Sequence, residues 1–576
     1  MSQQLYPEAL RDLRSPRRDG TLFPKSWRAQ SRQADVALVW LNGRRPDDQQ
    51  TYLTEQGFTC DVLDLTSGAA GQDELSFASP RNWNAAQRVL AGANAGLFDP
   101  YRTVVLADRQ HVTASGLGHA MAALRDPRVG VVAESRSLPS SSARKWAARR
   151  FRERQWEIPS DEVDGPGTLD FVCRAFLLQG LRGLRASVHH LDAHDHRARL
   201  TALIGLLAHE AAAGTASMAP ERPADVESRP LSPRFVPFYL PQFHPTDEND
   251  RWWGRGFTEW TNVAAAVPNF EGHYQPKLPS DLGFYDLRLD SVREEQTALA
   301  AGAGIDSFMY YHYWFAGERL LADPLKALLQ SDLAQPFCVM WANEDWTRSW
   351  DGNPAEILMG QRYDEVSADG FIDDLMPYLR DGRYISVGGK KVLAVYRPDS
   401  VPGFPDVVMR WRESALEHGL ELMILGVEYG TISPASRSAL DGTMAFPPHN
   451  RKYVRANGAG LRLDRGFRGA LFSYRGLVEA DIANLDRHRD DQFPGVMVGW
   501  DNTPRRQSGA HTWLGANPYT FRRWLLAAAE SVASRPREHR LVFVNAWNEW
   551  AEGAVLEPSV EFGHSYLGVL RDLAEG

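Results

Sequence analysis

"FVNAWNEWAEG", Phe543–Gly553, begins as a buried strand and ends as something else. Val542 to Trp547 is apolar and β-prone, yet it runs directly into Asn548, Glu549 and Glu552. A strand without polar alternation is hidden on both faces, as in a parallel sheet covered by helices. Carboxylates at its C-terminal end then belong to whatever sits above that sheet.

Working outward, seven more runs of this kind follow residue 234: "FVPFYLPQF" from Phe235, "IDSFMYYHYW" from Ile305, "FCVMWANED" from Phe337, "VLAVYR" from Val392, "LELMILGVE" from Leu420, "GTMAFPP" from Gly442 and "GVMVGWDN" from Gly495. Amphipathic stretches such as "SVREEQTALAAGAG" and "YTFRRWLLAAAESVAS" separate several of them and carry apolar residues at helical spacing. Eight apolar strands alternating with helices predict an α/β chain whose C-terminal part is a (β/α)8 TIM-like barrel, with its site at the C-terminal ends of the strands.

The strand ends fit that expectation, because nearly all of them are polar or aromatic. Two carboxylates in one mouth suit glycoside chemistry, in which one group moves a proton and the other protonates the departing oxygen. Glu549 and Glu552 are therefore the candidate catalytic pair, with Trp547 and Trp550 as apolar surroundings. A competing reading makes both Glu residues helix-start caps. Convergence decides between the two, since Asn343, Glu344, Asp345, Glu428, Asp501 and Asn502 end other strands, while the candidate Asn548 stands beside Glu549 itself. Aromatic residues point to a sugar, whose C–H faces pack on rings while its hydroxyls are read by polar groups. Thirteen of the eighteen Trp follow residue 234. From these clusters and strand ends come the remaining candidate substrate-binding residues: Tyr239, His244, Trp253, Glu259, Trp260, Tyr311, His312, Trp341, Trp346, Trp500 and Trp550. Trp314, Trp411 and Trp524 read as core.

Bulk properties narrow the class. The 576 residues carry a formal net charge of −9 without a dominant basic patch, which argues against a nucleic-acid partner. One basic run, "RKWAARRFRER" (Arg144–Arg154), reads as a solvated helix face, with peripheral membrane contact as the most it would support. Cys60, Cys173 and Cys338 form neither a disulfide framework nor a metal cluster, the N-terminus lacks an apolar signal core, and no run is long enough to span a bilayer. A cytoplasmic protein without metal or cofactor is expected. "HHLDAHDH" (His189–His196) reads as a solvated loop, and "HEAAAG" at His209 lacks the second His of a zinc helix.

Residues 213–234, rich in Pro, Ser and Ala, read as a linker between residues 1–212, a smaller α/β domain of nucleotide-sugar type, and the barrel at 235–576.

"FYLPQFHPTDENDRWWGRGFTEWTNV" (Phe238–Val263), "HYQPKLPSDLGFYDLR" (His273–Arg288), "YYHYWF", "WANEDWTRSWDG" and "NAWNEWAEGAVLEP" together closely resemble WbsX-type proteins of polysaccharide assembly. Their domain is similar to glycoside hydrolase family 99, retaining endo-α-1,2-mannosidases and mannanases. The resemblance implies that Glu549 matches the base acting on the sugar 2-hydroxyl and Glu552 the acid acting on the leaving group, through an epoxide-like intermediate. Ala551 stands where that hydrolase family often has His. WbsX-type proteins are described as glycosyltransferases of lipopolysaccharide, O-antigen or capsule assembly, which implies an oligo- or polysaccharide substrate and other assembly enzymes as partners. More faintly, "YRTVVLADRQHVTASGLGHAMAALRDPRVGVVAES" resembles a GT-A family 2 glycosyltransferase in which Asp108, Arg109 and Gln110 lack the second Asp of an Asp-x-Asp motif, implying a degenerate domain. Two alternatives to a glycosidic-bond enzyme using the barrel stay open: nucleotide-sugar-dependent transfer by the N-terminal domain, and a non-catalytic glycan-binding subunit.

Overall fold

A computed structural model describes residues 231–575 except 271–272, 349–352, 364–367, 452, 457–462 and 486–488. Before them it describes residues 36–40, 47–55, 58–64, 103–107, 131–134, 155–158 and 171–174. Asp108, the basic run, the His-rich run, His209 and nearly all of the expected linker lie outside these residues. Two compact units are present, Met1–Ser228 with Glu561–Asp572 and Gly576, and Arg229–Val560 with Leu573–Glu575.

In the first unit, β1 (Val36–Trp40), β2 (Cys60–Asp64), β3 (Thr103–Ala107), β4 (Val131–Glu134), β5 (Gln155–Ile158) and β6 (Phe171–Arg174) form one sheet in the order β2-β1-β3-β6-β4-β5. Only β6 runs antiparallel to its neighbours, β3 and β4. The sheet is mostly parallel.

The second unit is the barrel. Its strands are β7 (Arg234–Tyr239), β8 (Phe308–Phe315), β9 (Phe337–Trp341), β10 (Lys390–Val395), β11 (Leu422–Glu428), β12 (Gly442–Ala445), β13 in two parts (Gln492–Phe493 and Gly495–Met497) and β14 (Leu541–Asn545). Each pairs in parallel with the next, and β14 returns to β7 through Leu541↔Arg234. Pro494, which lacks an N–H, divides β13, whose first part pairs with β12 and whose second pairs with β14. The eight runs read from the sequence are the eight barrel strands.

Closure depends on a close approach between β12 and β13. A Cβ on Gly495 would stand 2.1 Å from the Ala445 carbonyl oxygen, so only glycine fits without moving backbone. Gly495→Ala is expected to destabilise the protein by about 1–3 kcal/mol. A lower urea midpoint at unchanged slope would register this loss.

The two ends of the barrel differ. At the N-terminal end the Arg234 guanidinium donates to Asp306 at 3.0 Å and to the Glu538 carbonyl at 2.9 Å, a fastening between loops. Helices Phe404–Glu417 and Pro518–Val532 bury Trp411 and Trp524, and Trp314 is likewise buried. The polar strand ends gather at the other end.

Candidate active site

Past β14 the chain makes a tight hairpin. Asn548–Glu549 pairs antiparallel with Ala554–Val555, and Trp550–Glu552 forms one 3-10 turn between them. Gly553 closes the turn at φ 65, where a Cβ would also press on the Asp501 backbone nitrogen at 3.2 Å. Asn548 fixes the hairpin to the end of β7: its Oδ1 accepts from the Leu240 N–H at 2.8 Å, and its Nδ2 donates to the Leu240 carbonyl at 3.0 Å. A single 3-10 turn thus sends Glu549 and Glu552 into the same mouth.

Both carboxyls meet one guanidinium. Arg505, on the short helix Thr503–Arg506 after β13, donates from Nη2 to Glu549 and from Nη1 to Glu552, each at 2.6 Å. Its Nε and Nη2 also donate to the two oxygens of Glu259, at 3.1 Å each. Glu259 opens the helix Glu259–Ala265 and takes a further bond from Gln242 Nε2 at 2.6 Å. The ends of β7, β13 and β14 are tied together here.

Three carboxylates face one cation. Burial pushes the Glu549 carboxyl well above the ordinary carboxylate range; Arg505 opposes this, and Glu552 and Glu259 add to it. Glu552 is raised as well, chiefly by burial. Burial also works against the Arg505 charge, but Glu259, Glu549 and Glu552 more than reverse that and hold the guanidinium protonated. The pair is therefore built to retain a proton, as acid–base work requires.

The walls are aromatic. Tyr311 and Tyr313 on β8 stack at 6.0 Å, and both phenols are raised by burial and then by the Glu549 charge. Trp346 stands edge-on to Tyr313 at 5.0 Å. Another side carries a column in which Arg397 lies 3.9 Å over the Tyr429 ring and His449 stacks on that ring at 4.2 Å. Burial, helped by Arg397, lowers His449 to about 4, so its imidazole is neutral.

The structure sorts the residues expected from sequence. Glu259, Tyr311, Trp346, Glu549 and Glu552 join this cluster. Glu344 pairs with Arg397 at 2.5 Å and belongs to the column, as does Trp500, edge-on to His449 at 5.6 Å. Trp253 is half-buried, packed on Phe257 at 5.7 Å and under Arg348 at 5.3 Å. Glu428 accepts from Thr443 Oγ1 and Gln492 Nε2, at 2.8 and 2.7 Å.

Others are buried, most of them with their polar groups bonded inside the protein. His312 faces the opposite side of β8 from Tyr311 and Tyr313, toward Asp374 at 3.5 Å, because side chains alternate along a strand. Trp341 packs on Phe371 at 4.6 Å and donates to the Trp314 carbonyl. The Tyr239 hydroxyl donates to Gln296, Trp260 to the Tyr285 carbonyl and Trp550 to Glu557. His244 has no exposed surface. Asn343 and Asn548 clamp backbone, the former by accepting from the Arg397 N–H and donating to its carbonyl. Asp501 accepts from His273, Gln275, Thr503 and Thr512, leaving neither oxygen open to a ligand.

Behind the hairpin Glu557 is buried and accepts from Gln296 Nε2, the Tyr285 hydroxyl and Trp550 Nε1, at 2.6, 2.9 and 2.7 Å. Burial outweighs these bonds and raises its carboxyl from 4.5 to about 7. A raised carboxyl contributes stability that is fully present below the unfolded value and lost as pH rises through the folded one. Over that window the wild type should lose about 3 kcal/mol relative to Glu557→Gln. Urea midpoints of both proteins at pH 4.5 and pH 8 would show the gap.

Comparison with known proteins gives three findings. The family described as "Glycosyltransferase WbsX" matches residues 235–570, more than half of the chain. "Uncharacterized protein WxcX" of Xanthomonas campestris pv. campestris strain B100 is 41% identical over 344 residues, covering 59% of this chain and 49% of that protein. Its counterpart in strain ATCC 33913 is 40% identical over the same length, so the chain spans about half the length of the curated relatives it matches. Among solved structures, the GH99 endo-alpha-mannosidase from Bacteroides thetaiotaomicron aligns with TM-score 0.37 and 12% identity, over 59% of this chain and 96% of that one. A "Glycoside hydrolase-like protein" aligns with TM-score 0.39 and 15% identity, over 62% and 97%.

Proposed function

This chain belongs to the WbsX glycosyltransferase family, a carbohydrate-active family, and we propose that its barrel cleaves or transfers glycosidic linkages of a bacterial surface polysaccharide with Glu549 and Glu552. The observation that carries this is the convergence of both carboxyls on the Arg505 guanidinium at the barrel mouth. In this reading residues 235–576 do the chemistry, residues 213–234 link, and residues 1–212 form a degenerate nucleotide-sugar-type domain. The enzyme works on the cytoplasmic side with other assembly enzymes. Among the described residues no helix is long and apolar enough to cross a membrane, and Cys338 is a buried free thiol.

The reaction conserves the anomeric configuration. Glu549 takes the proton of the sugar 2-hydroxyl as that oxygen attacks C1, while Glu552 protonates the departing oxygen. Water or an acceptor hydroxyl, deprotonated by Glu552, then opens the epoxide at C1, and Glu549 returns the proton to O2. No carboxylate bonds to carbon, unlike the usual retaining scheme. Two hydrogen bonds to one guanidinium keep the carboxyls near each other, which suits a substrate that engages both at adjacent positions. An excess of carboxylate over cation favours a positive, oxocarbenium-like centre and repels a diphosphate, so a polymeric or oligomeric glycan fits the mouth better than a nucleotide sugar.

The test is mass spectrometry of oligosaccharides from the producing organism's surface polysaccharide, incubated with the protein in oxygen-18 water. Labelled reducing ends mean hydrolysis; unlabelled, lengthened chains mean transfer. The family description favours transfer as a second reading; a nucleotide-sugar donor would then bind either the barrel or the N-terminal unit. Unchanged oligosaccharides, together with heat on titrating nucleotide sugar into the full chain, would replace the first reading with that one. Unchanged oligosaccharides that nevertheless bind would leave a glycan-binding subunit.

A further inference from the structure

We propose that Arg505 is a positioning residue: anchored on Glu259, its guanidinium holds the carboxyls of Glu549 and Glu552 at a fixed separation and orientation in the mouth. The proposal rests on the reading of those two residues as the catalytic pair.

The exposures of the four side chains are graded. Glu259 is 0% exposed, Arg505 14%, Glu549 6% and Glu552 21%. Glu259 therefore has no surface for a substrate, and its oxygens are held from behind by Gln242 and, at 3.4 Å, by Asn262. It serves as the fixed end. Arg505 takes that end with Nε and Nη2 and extends Nη1 and Nη2 to the pair, a use of the planar fork that an ammonium cannot copy. An Arg placed for stability alone would need only one of these carboxylates. Satisfying three, one from the helix Glu259–Ala265 and two from the hairpin after β14, fixes the pair's geometry instead.

The groups facing the pair set the sign of the test. Around Glu549 stand Arg505, Glu259, Tyr311 and Tyr313; around Glu552 stand Arg505, Glu259, Arg506, Tyr311, Tyr313, Tyr396 and Tyr429. Only Arg505 touches both carboxyls among the described residues. Removing its charge should let the pair hold its proton to higher pH, and removing the Glu259 charge should do the reverse.

Infrared titration of the protonated-carboxyl stretch in the full chain reads this without any substrate, the pair's band being the one lost in Glu549→Gln and Glu552→Gln. Its midpoint is expected to rise by about 1–3 units in Arg505→Gln and to fall in Glu259→Gln. Arg505→Lys keeps the charge but not the fork; its midpoint should stay near wild type while kcat on the surface oligosaccharides falls about 10²-fold with KM little changed. Midpoints unmoved in both Arg505→Gln and Glu259→Gln, or full kcat in Arg505→Lys, overturn the proposal. Should Arg505→Gln not fold, Glu259→Gln and Arg505→Lys still decide. Retained turnover in Glu549→Gln or Glu552→Gln would sink the catalytic reading separately, leaving the infrared result intact.

Discussion

Glu549→Gln and Glu552→Gln, each purified as folded protein, are expected to lose about 10²–10⁴-fold in turnover of the surface oligosaccharides. Glutamine keeps the volume and an oxygen for Arg505, so the mouth should keep its shape. What disappears is the proton carrier. Folding should not suffer, because each substitution removes one negative charge from a cluster where three carboxylates share one guanidinium. Stability should even improve as pH rises: both carboxyls are raised by burial, so their contribution is present below the unfolded value and is lost on deprotonation. The double variant should be little worse than either single one, since the two groups act as a unit. An oligosaccharide lacking the 2-hydroxyl at the cleaved sugar separates the mechanisms. If the 2-hydroxyl is the nucleophile it should not react even with wild type, whereas a carboxylate nucleophile would still turn it over. Either single variant retaining wild-type turnover would falsify the assignment.

Much of the barrel was legible because a strand covered on both faces leaves an apolar run, and a run that ends in polar residues marks which end carries the site. The hairpin after β14 followed the same logic. Arg505 was not legible, although it lies a few residues beyond "GWDN": an Arg on a four-residue helix looks like a solvated residue, and nothing local reveals three carboxylates from two distant segments. "YYHYWF" held a usable signal of another kind. Alternation permits Tyr311 and Tyr313 on one face and His312 on the other, so naming Tyr311 together with His312 mixed two faces. Tryptophan content alone does not separate a sugar platform from structural packing. Trp260 and Trp550 pack on each other at 5.7 Å and brace the hairpin from behind, a role that composition does not distinguish from a wall.

Asp501 shows how a strand-end carboxylate serves the site without meeting substrate. Its Oδ2 accepts from His273 Nε2 at 2.6 Å and Gln275 Nε2 at 2.7 Å, and its Oδ1 from the Thr503 N–H, the Thr503 hydroxyl and the Thr512 hydroxyl. His273 Nδ1 in turn accepts from the Asn269 N–H, which leaves Nε2 as the donor to Asp501. Burial pushes the Asp501 carboxyl up, but His273, Lys277 and Thr503 more than reverse it and hold it far below the usual carboxylate range. Asp501→Ala would leave these donors buried without their acceptor, and a loss of about 3–5 kcal/mol is expected at pH 7. Asparagine is no remedy, because donors face both oxygens and its NH2 would meet two of them. A depressed carboxyl contributes stability present above its unfolded value and lost as pH falls through the folded one. Urea midpoints of wild type and Asp501→Ala should therefore lie far apart at pH 7 and draw together below pH 4. Activity should fall as well, since the bonds to Thr503 N–H and hydroxyl anchor the start of the helix that carries Arg505. A variant that unfolds at the wild-type midpoint at pH 7 would show that the turn holds Arg505 by other means.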